Sequence, residues 1–410
     1  MLKISKRRVM ISAAALATCA VVVASLPATA EKKFGRRDDK HGGVWLAGDL
    51  HVHSTYSHDS YGGPHDDNTS IDEFYTLGWS VAEQGEIARS RGLDYLAITD
   101  HNDVRSVADP AFGSAGLLWL PGYENSLAGH AQMLGSTELH DNGTRSLQDV
   151  ERLARELKQL GGAFQINHPS DHDWERSYGY AFVPETIEVW NIGPWLWQHP
   201  MPAANDNDFS LRFWDAFLDA GHEVGATGGS DNHWRSITPL AGVGQPTTWV
   251  FAREASPEGV LEALREGRTT IVHQPPSMSE TFINMEADRN RNGEFESMIG
   301  DKVPSGAAVK VTVEGAPGTL LRLVTNGSRT FELVEVTGND FTYTTEAPAG
   351  STWLRAEVFM PDAPEQRGQL SFGCDAIDVF SGPAGGEPTT LCENRLTMLA
   401  LTSPIYISQD

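Results

Sequence analysis

The chain of 410 residues is 40% hydrophobic, which is enough for one large core and a smaller one. Its 31 Lys and Arg are outnumbered by 55 Asp and Glu, giving a formal net charge of -24. A surface so negative repels phosphate backbones at long range and excludes duplex nucleic acid as a partner.

The first thirty residues read as a targeting segment. "MLKISKRRVM" is positively charged, "ISAAALATCAVVVASL" is apolar, and "PATAE" supplies small residues for cleavage near Ala30. The apolar run of about sixteen residues falls short of the ~20 that a spanning helix needs, so no stable membrane insertion is expected after its removal. Arg7-Arg8 is similar to a twin-arginine signal, and the expected location is periplasmic or extracellular. Cys19 lies in the apolar run, which leaves Cys374 and Cys392 in the mature chain. In an oxidising compartment they either pair as a disulfide or remain free thiols.

After a polar connector over 31–43, a strand-and-helix rhythm runs across 44–275. Short apolar runs recur and end in polar residues: "VWLAGDLHVH", "LDYLAITDH", "LLWLPGYE", "GHAQMLG", "GAFQINHPSD", "TIEVWN" and "EVGATGGSDNH". Helical patterns separate several of them. Leu147, Val150, Leu153, Leu157 and Leu160 mark one helix face, opened by Ser146 and Asp149 and closed by Gly161-Gly162. "DFSLRFWDAFLDAG" and "SPEGVLEALREG" behave similarly. Strands that alternate with helices and carry polar residues at their C-termini predict an α/β fold, a parallel β/α barrel with its site on that face.

His51 and His53 stand at i and i+2 and point to one side of the pleat. The other candidate ligands are His58 or Asp59, Asp100, His101, Glu124, His130, His168, Asp231 and His233. Imidazole and carboxylate suit zinc, manganese or iron, whereas a soft thiolate site would need cysteines. So many ligands exceed the needs of one ion and imply two or three, with Glu124 as the natural bridge. Ions about 3.5–4 Å apart support hydrolysis.

In order, "DLHVHSTYS", "AITDH", "GYE", "NHP" and "GSDNH" resemble the motifs of the polymerase-and-histidinol-phosphatase (PHP) superfamily. "GHAQMLG", "IEVWN" and "LREGRTTI" are similar to its exported CehA/McbA branch, which includes carbaryl hydrolases beside phosphoesterases. The resemblance implies a distorted (β/α)7 barrel over 44–275 with a trinuclear metal centre. It implies His51, His53, Glu124 and Asp231 around one ion, and Glu124, His130 and His168 around a second. His101 and His233 would hold a third, with either His58 or Asp59, and His58 is preferred. Glu124 as the bridge and Asp100 orienting an imidazole are the residues expected to act in catalysis.

The implied activity is that of an exported phosphoesterase using a metal-bridging hydroxide on a small-molecule ester. A carboxylester, carbamate or amide hydrolase is the alternative, and a non-catalytic metal- or ligand-binding envelope protein is the alternative of another class. His172 and His199 are rim candidates or plain loop histidines. Trp190, Trp195 and Trp197 form either an aromatic wall or core packing, and Arg268 either meets an anion at the barrel mouth or is solvated.

Beyond 275 the composition changes. Residues 276–301 read as a linker in which Asp288, Asn290, Asn292 and Gly293 occupy calcium-loop positions 1, 3, 5 and 6. Ile299 stands where a bidentate Glu is expected, so a tight turn without calcium is the competing reading. Residues 302–410 alternate apolar and polar positions between Gly and Asn turns, which predicts a small antiparallel β-sandwich closed by "MLALTSPIYI". The oligomeric state is left open.

Overall fold

The computed structural model describes residues 35–38, 40–60, 77–126, 129–140, 146–171, 173–192, 207–235, 242–361 and 397–408. The targeting segment, His172, Trp195, Trp197, His199, Cys374 and Cys392 lie outside the described residues. No described helix is long and apolar enough to cross a membrane.

The fold is mixed α/β with several sheets. Gly43–Asp49 is buried beyond its first residue, and it pairs in parallel with Tyr95–Ala97, which pairs in parallel with Leu118–Leu120. On its other edge Gly43–Asp49 pairs antiparallel with Thr247–Ala252, and that strand with Thr269–Val272. A second sheet of five strands runs Glu124–Asn125, Ala131–Leu134, Ala163–Ile166, Thr186–Asn191 and Gly225–Gly229. Its first pairing is antiparallel because the connection between Glu124–Asn125 and Ala131–Leu134 is too short for a crossover helix, and the second is antiparallel as well. Ladder hydrogen bonds among the described residues therefore run in separate sheets rather than around one closed ring. Isolated parallel bridges, Val52 to Asn232 and His101 to Glu124, link the two where the strands end.

Local signals explain the helices. Leu147–Gln159 starts at Ser146, whose Oγ accepts the Asp149 N–H at 3.3 Å, and buries Val150, Leu153 and Leu157. Leu160, expected on that face, is 71% exposed, because the helix has already ended and Leu160 is its C-cap. Pro257–Arg265 is capped by Ser256, and Val81–Ser90 by a capping box of Ser80 and Glu83.

The C-terminal strands do not stand apart from this framework. Phe282–Asp288, Ser297–Met298, Ala308–Glu314 and Asp340–Glu346 form a four-stranded antiparallel sheet. Phe282–Asp288 lies within the expected linker, yet all its residues are buried. Val309, Val311 and Val313 alternate inward and pack with Leu321, Leu323, Leu354 and Val358 of the facing strands. Those facing strands belong to the twelve-stranded sheet, in which Thr397–Thr402 pairs antiparallel with Thr269–Val272. The described residues thus pack as one unit. The fully buried Arg355 ties helix Asn207–Asp219 to this sheet: it pairs with Asp215, and its Nε reaches Glu357 at 2.8 Å.

Candidate metal centre

The centre begins just beyond the strand Gly43–Asp49. His51 and His53 are fully buried and bring their Nε2 atoms to 3.1 Å of each other. Each Nε2 lies 3.3 Å from Glu124 Oε2 and 3.2 Å from Asp231 Oδ1. Glu124 follows Leu118–Leu120, and its other oxygen, Oε1, lies 3.0 Å from His130 Nδ1 and 3.3 Å from His168 Nε2. His101 Nδ1 is 3.0 Å from Oε2. A third group forms where Asp59 Oδ2 stands 3.0 Å from His233 Nε2 and 3.6 Å from His101 Nε2, with those two nitrogens 3.2 Å apart. His168 and Asp231 reach their places through left-handed backbone, φ 20° and 50°, a strain that functional sites accumulate.

The structure separates His58 from Asp59, and it does so against the expected preference. Consecutive turns, Ser57 N–H to Ser54 O at 3.0 Å and Ser60 N–H to Ser57 O at 3.1 Å, carry the Asp59 carboxylate inward. Trp234 pins it there by donating from Nε1 to the Asp59 carbonyl at 3.0 Å. His58 is exposed, its ring 5.2 Å from that of His101, and it lines a mouth of about 370 Å³ with Tyr56, Asn102 and Asp103. Asp100 also differs from expectation. Its carboxylate accepts the Ser54 N–H at 2.6 Å and the Ser54 hydroxyl at 2.9 Å, so it anchors the chain after His53 rather than an imidazole ring.

Four polar partners were not singled out from the sequence. Asn167 donates to Glu124 Oε1 at 2.8 Å, and Asp171 Oδ2 lies 3.3 Å from His168 Nδ1. Glu188 Oε1 lies 3.0 Å from His51 Nδ1, and Asn191 donates to both Glu188 and Asp231. One signal was present in "TIEVWN": an acid inside a strand whose residues are all buried requires a partner.

The donor set suits divalent cations. Glu124 Oε2 and Asp231 Oδ1 are buried without a well-aligned hydrogen bond, although three imidazole nitrogens stand 3.0 to 3.3 Å from the first and three stand 3.2 Å from the second. Such atoms converge on shared points instead of pairing, which is what ligation requires and hydrogen bonding does not. Overlapping triads, including His51, His53 and Glu124, and His53, His101 and His233, bring their ligand atoms within 4.8 Å.

Electrostatics agree. Burial alone would raise the Glu124 carboxyl, but His51, His101 and His130 hold it well below the usual carboxylate range. Asp231 behaves likewise, held down against burial by His51 and His233. Burial would lower His51, yet Asp231, Glu188 and Glu124 lift it well above an ordinary imidazole. His233 is lifted by Asp59 and Asp231 in the same way. His53 goes down, through burial and the neighbouring His233 and His101.

Other candidates fall elsewhere. Arg268 is occupied by Glu266 at 2.8 Å and Asp301 at 3.4 Å, so it is not free at the mouth. Trp190 is fully buried in the core. In the calcium-like loop, Asp288 accepts the N–H groups of Asn292 and Gly293 at 3.2 and 2.7 Å, and Asn290 accepts that of Asn292 at 3.0 Å, closing a tight turn.

No protein-family model and no curated protein matches the chain. Among solved structures it is similar to a two-domain protein from Bacteroides vulgatus that contains a predicted PHP-like metal-dependent phosphoesterase. The identity is 18% and the TM-score 0.39, over 82% of this chain and 95% of that one.

Proposed function

We propose that the chain is an exported metal-dependent hydrolase of the PHP type, built on a distorted β/α barrel and acting on a phosphate ester. The observation that carries this reading is the convergence of imidazoles and carboxylates on Glu124, whose buried Oε2 is met by three imidazole nitrogens at 3.0 to 3.3 Å. His51, His53, Glu124 and Asp231 would hold one ion, Glu124, His130 and His168 a second, and Asp59, His101 and His233 a third. Bound zinc, manganese or iron would lower the pKa of a water from 15.7 toward about 7 and polarise the oxygen of a scissile phosphoryl or acyl group.

The protein's own residues prepare that chemistry. Glu124 and Asp231 present concentrated negative charge, and among the described residues their ion pairs are with histidine alone, so no Lys or Arg competes for them. The mouth beside His101 offers the polar side chains of Tyr56, His58, Asn102 and Asp103 to the organic part of the ester. A phosphate ester is favoured over a carbamate because several cation positions suit a multiply charged group, and Trp190 is not available as an aromatic wall.

The test is made on the mature chain, residues 31–410. Its metals are counted, and p-nitrophenyl phosphate, bis-p-nitrophenyl phosphate and a 1-naphthyl carbamate are assayed side by side. Phosphate ester turnover that disappears with chelation is expected. Carbamate turnover alone would put a carbaryl-hydrolase-like activity first, and full metal loading without any turnover would leave a binding protein.

A further inference from the structure

Glu188 lies at the centre of the strand Thr186–Asn191 and is completely buried. Oε2 accepts the backbone N–H of His168 at 3.1 Å and the amide of Asn191 at 3.0 Å, while Oε1 meets His51 Nδ1 at 3.0 Å. Two of these partners can only donate, and a carboxylate only accepts. The same rule then keeps a hydrogen on His51 Nδ1, which leaves Nε2 as the nitrogen whose lone pair a cation would take. That Nε2 faces Glu124 Oε2 and Asp231 Oδ1, the atoms where ligation is expected. A separate feature of the sequence clears the space for this contact. A side chain at Gly229 would collide with Cβ of His51 and put its Cβ 2.5 Å from Glu188 Oε1, so only glycine lets the two approach.

We infer that Glu188 is the positioning residue of the centre: it fixes the orientation and tautomer of His51 and ties that ring to the backbone of His168. The inference rests on the metal-centre reading above. His51 belongs to the first proposed ion position and His168 to the second, so one carboxylate keeps the two in register. Partners of this kind, behind metal-bound imidazoles, typically contribute about 10- to 100-fold in metal affinity. Glutamine keeps the shape of the side chain but turns an NH2 toward groups that are themselves donors. Aspartate keeps a pure acceptor but withdraws it by one methylene.

The experiment titrates the full chain, stripped with a chelator, with manganese alone, following free manganese by electron paramagnetic resonance. Wild-type protein is expected to take up at least two ions. Glu188→Gln should weaken one site about 10- to 100-fold, and excess manganese should restore both occupancy and p-nitrophenyl phosphate turnover. Glu188→Asp should fall between the two, and it decides the matter if the glutamine variant does not fold. Titrations of the folded variants that superimpose on wild type overturn the inference. So does a loss that excess manganese does not restore, since that marks a purely structural role. Wild-type protein that takes up no manganese removes the metal-centre reading itself, and the inference with it, an outcome distinct from normal wild-type uptake with unaltered variants.

Discussion

The Asp59 carboxylate stands 3.0 Å from His233 Nε2, while its neighbour His58 is exposed. Two adjacent residues of ligand type are thus given opposite environments by one turn. Asp59→Asn should remove one ion from the fully loaded protein, whereas His58→Ala should leave the metal count unchanged. Elemental analysis of both proteins checks this, and the reverse result would return the third position to His58.

Gly229 supplies a second test. Alanine there presses on His51 and Glu188 together, and overpacking of this kind destabilises by about 1–3 kcal/mol. Gly229→Ala should lower both the thermal midpoint and the manganese occupancy. A variant with normal occupancy would show that the strand can shift without disturbing the imidazole.

Arg355 is enclosed between Asp215 and Glu357, with Trp214 and Trp353 against its guanidinium. Arg355→Met strands the buried Asp215, whereas Glu357 keeps Arg322, whose Nε donates to it at 2.8 Å. Breaking a buried pair by removing one partner costs about 3–5 kcal/mol. Urea unfolding should register a loss of that order while metal binding at 25 °C persists. A loss below about 1 kcal/mol would mean that water reaches Asp215.

His273 follows the strand Thr269–Val272 and donates its backbone N–H to the Leu399 carbonyl at 2.9 Å, and burial pushes its pKa down to about 4 from the ordinary 6.5. The unfolded chain therefore takes up a proton below about pH 6.5, before the folded chain does. Stability falls as the pH drops from 6.5 to 4, by about 3 kcal/mol from this residue. Urea midpoints at pH 7 and pH 4.5 should converge more closely in His273→Gln than in wild type. Equal acid sensitivity in the two proteins would assign the acid limb to other groups.

Much of the centre was legible along the chain because local rules govern it. A strand has period 2, so His51 and His53 had to share a side, and the polar residues that close each apolar run had to gather where strands end. Serine before an apolar helical pattern identified the starts at Ser146 and Ser256 for the same local reason. Residue types fixed the class of ligand, nitrogen and oxygen rather than sulfur. Only the folded chain set Asp59 rather than His58 beside His233, turned Asp100 toward Ser54, and set Glu188 against His51. It alone joined Thr397–Thr402 to Thr269–Val272, which made the C-terminal strands part of the main sheet. Periodicity reports which face a residue occupies and is silent about its partner. Partners are chosen by pairings between segments far apart in sequence, where burial rewards the arrangement that leaves the fewest donors and acceptors alone.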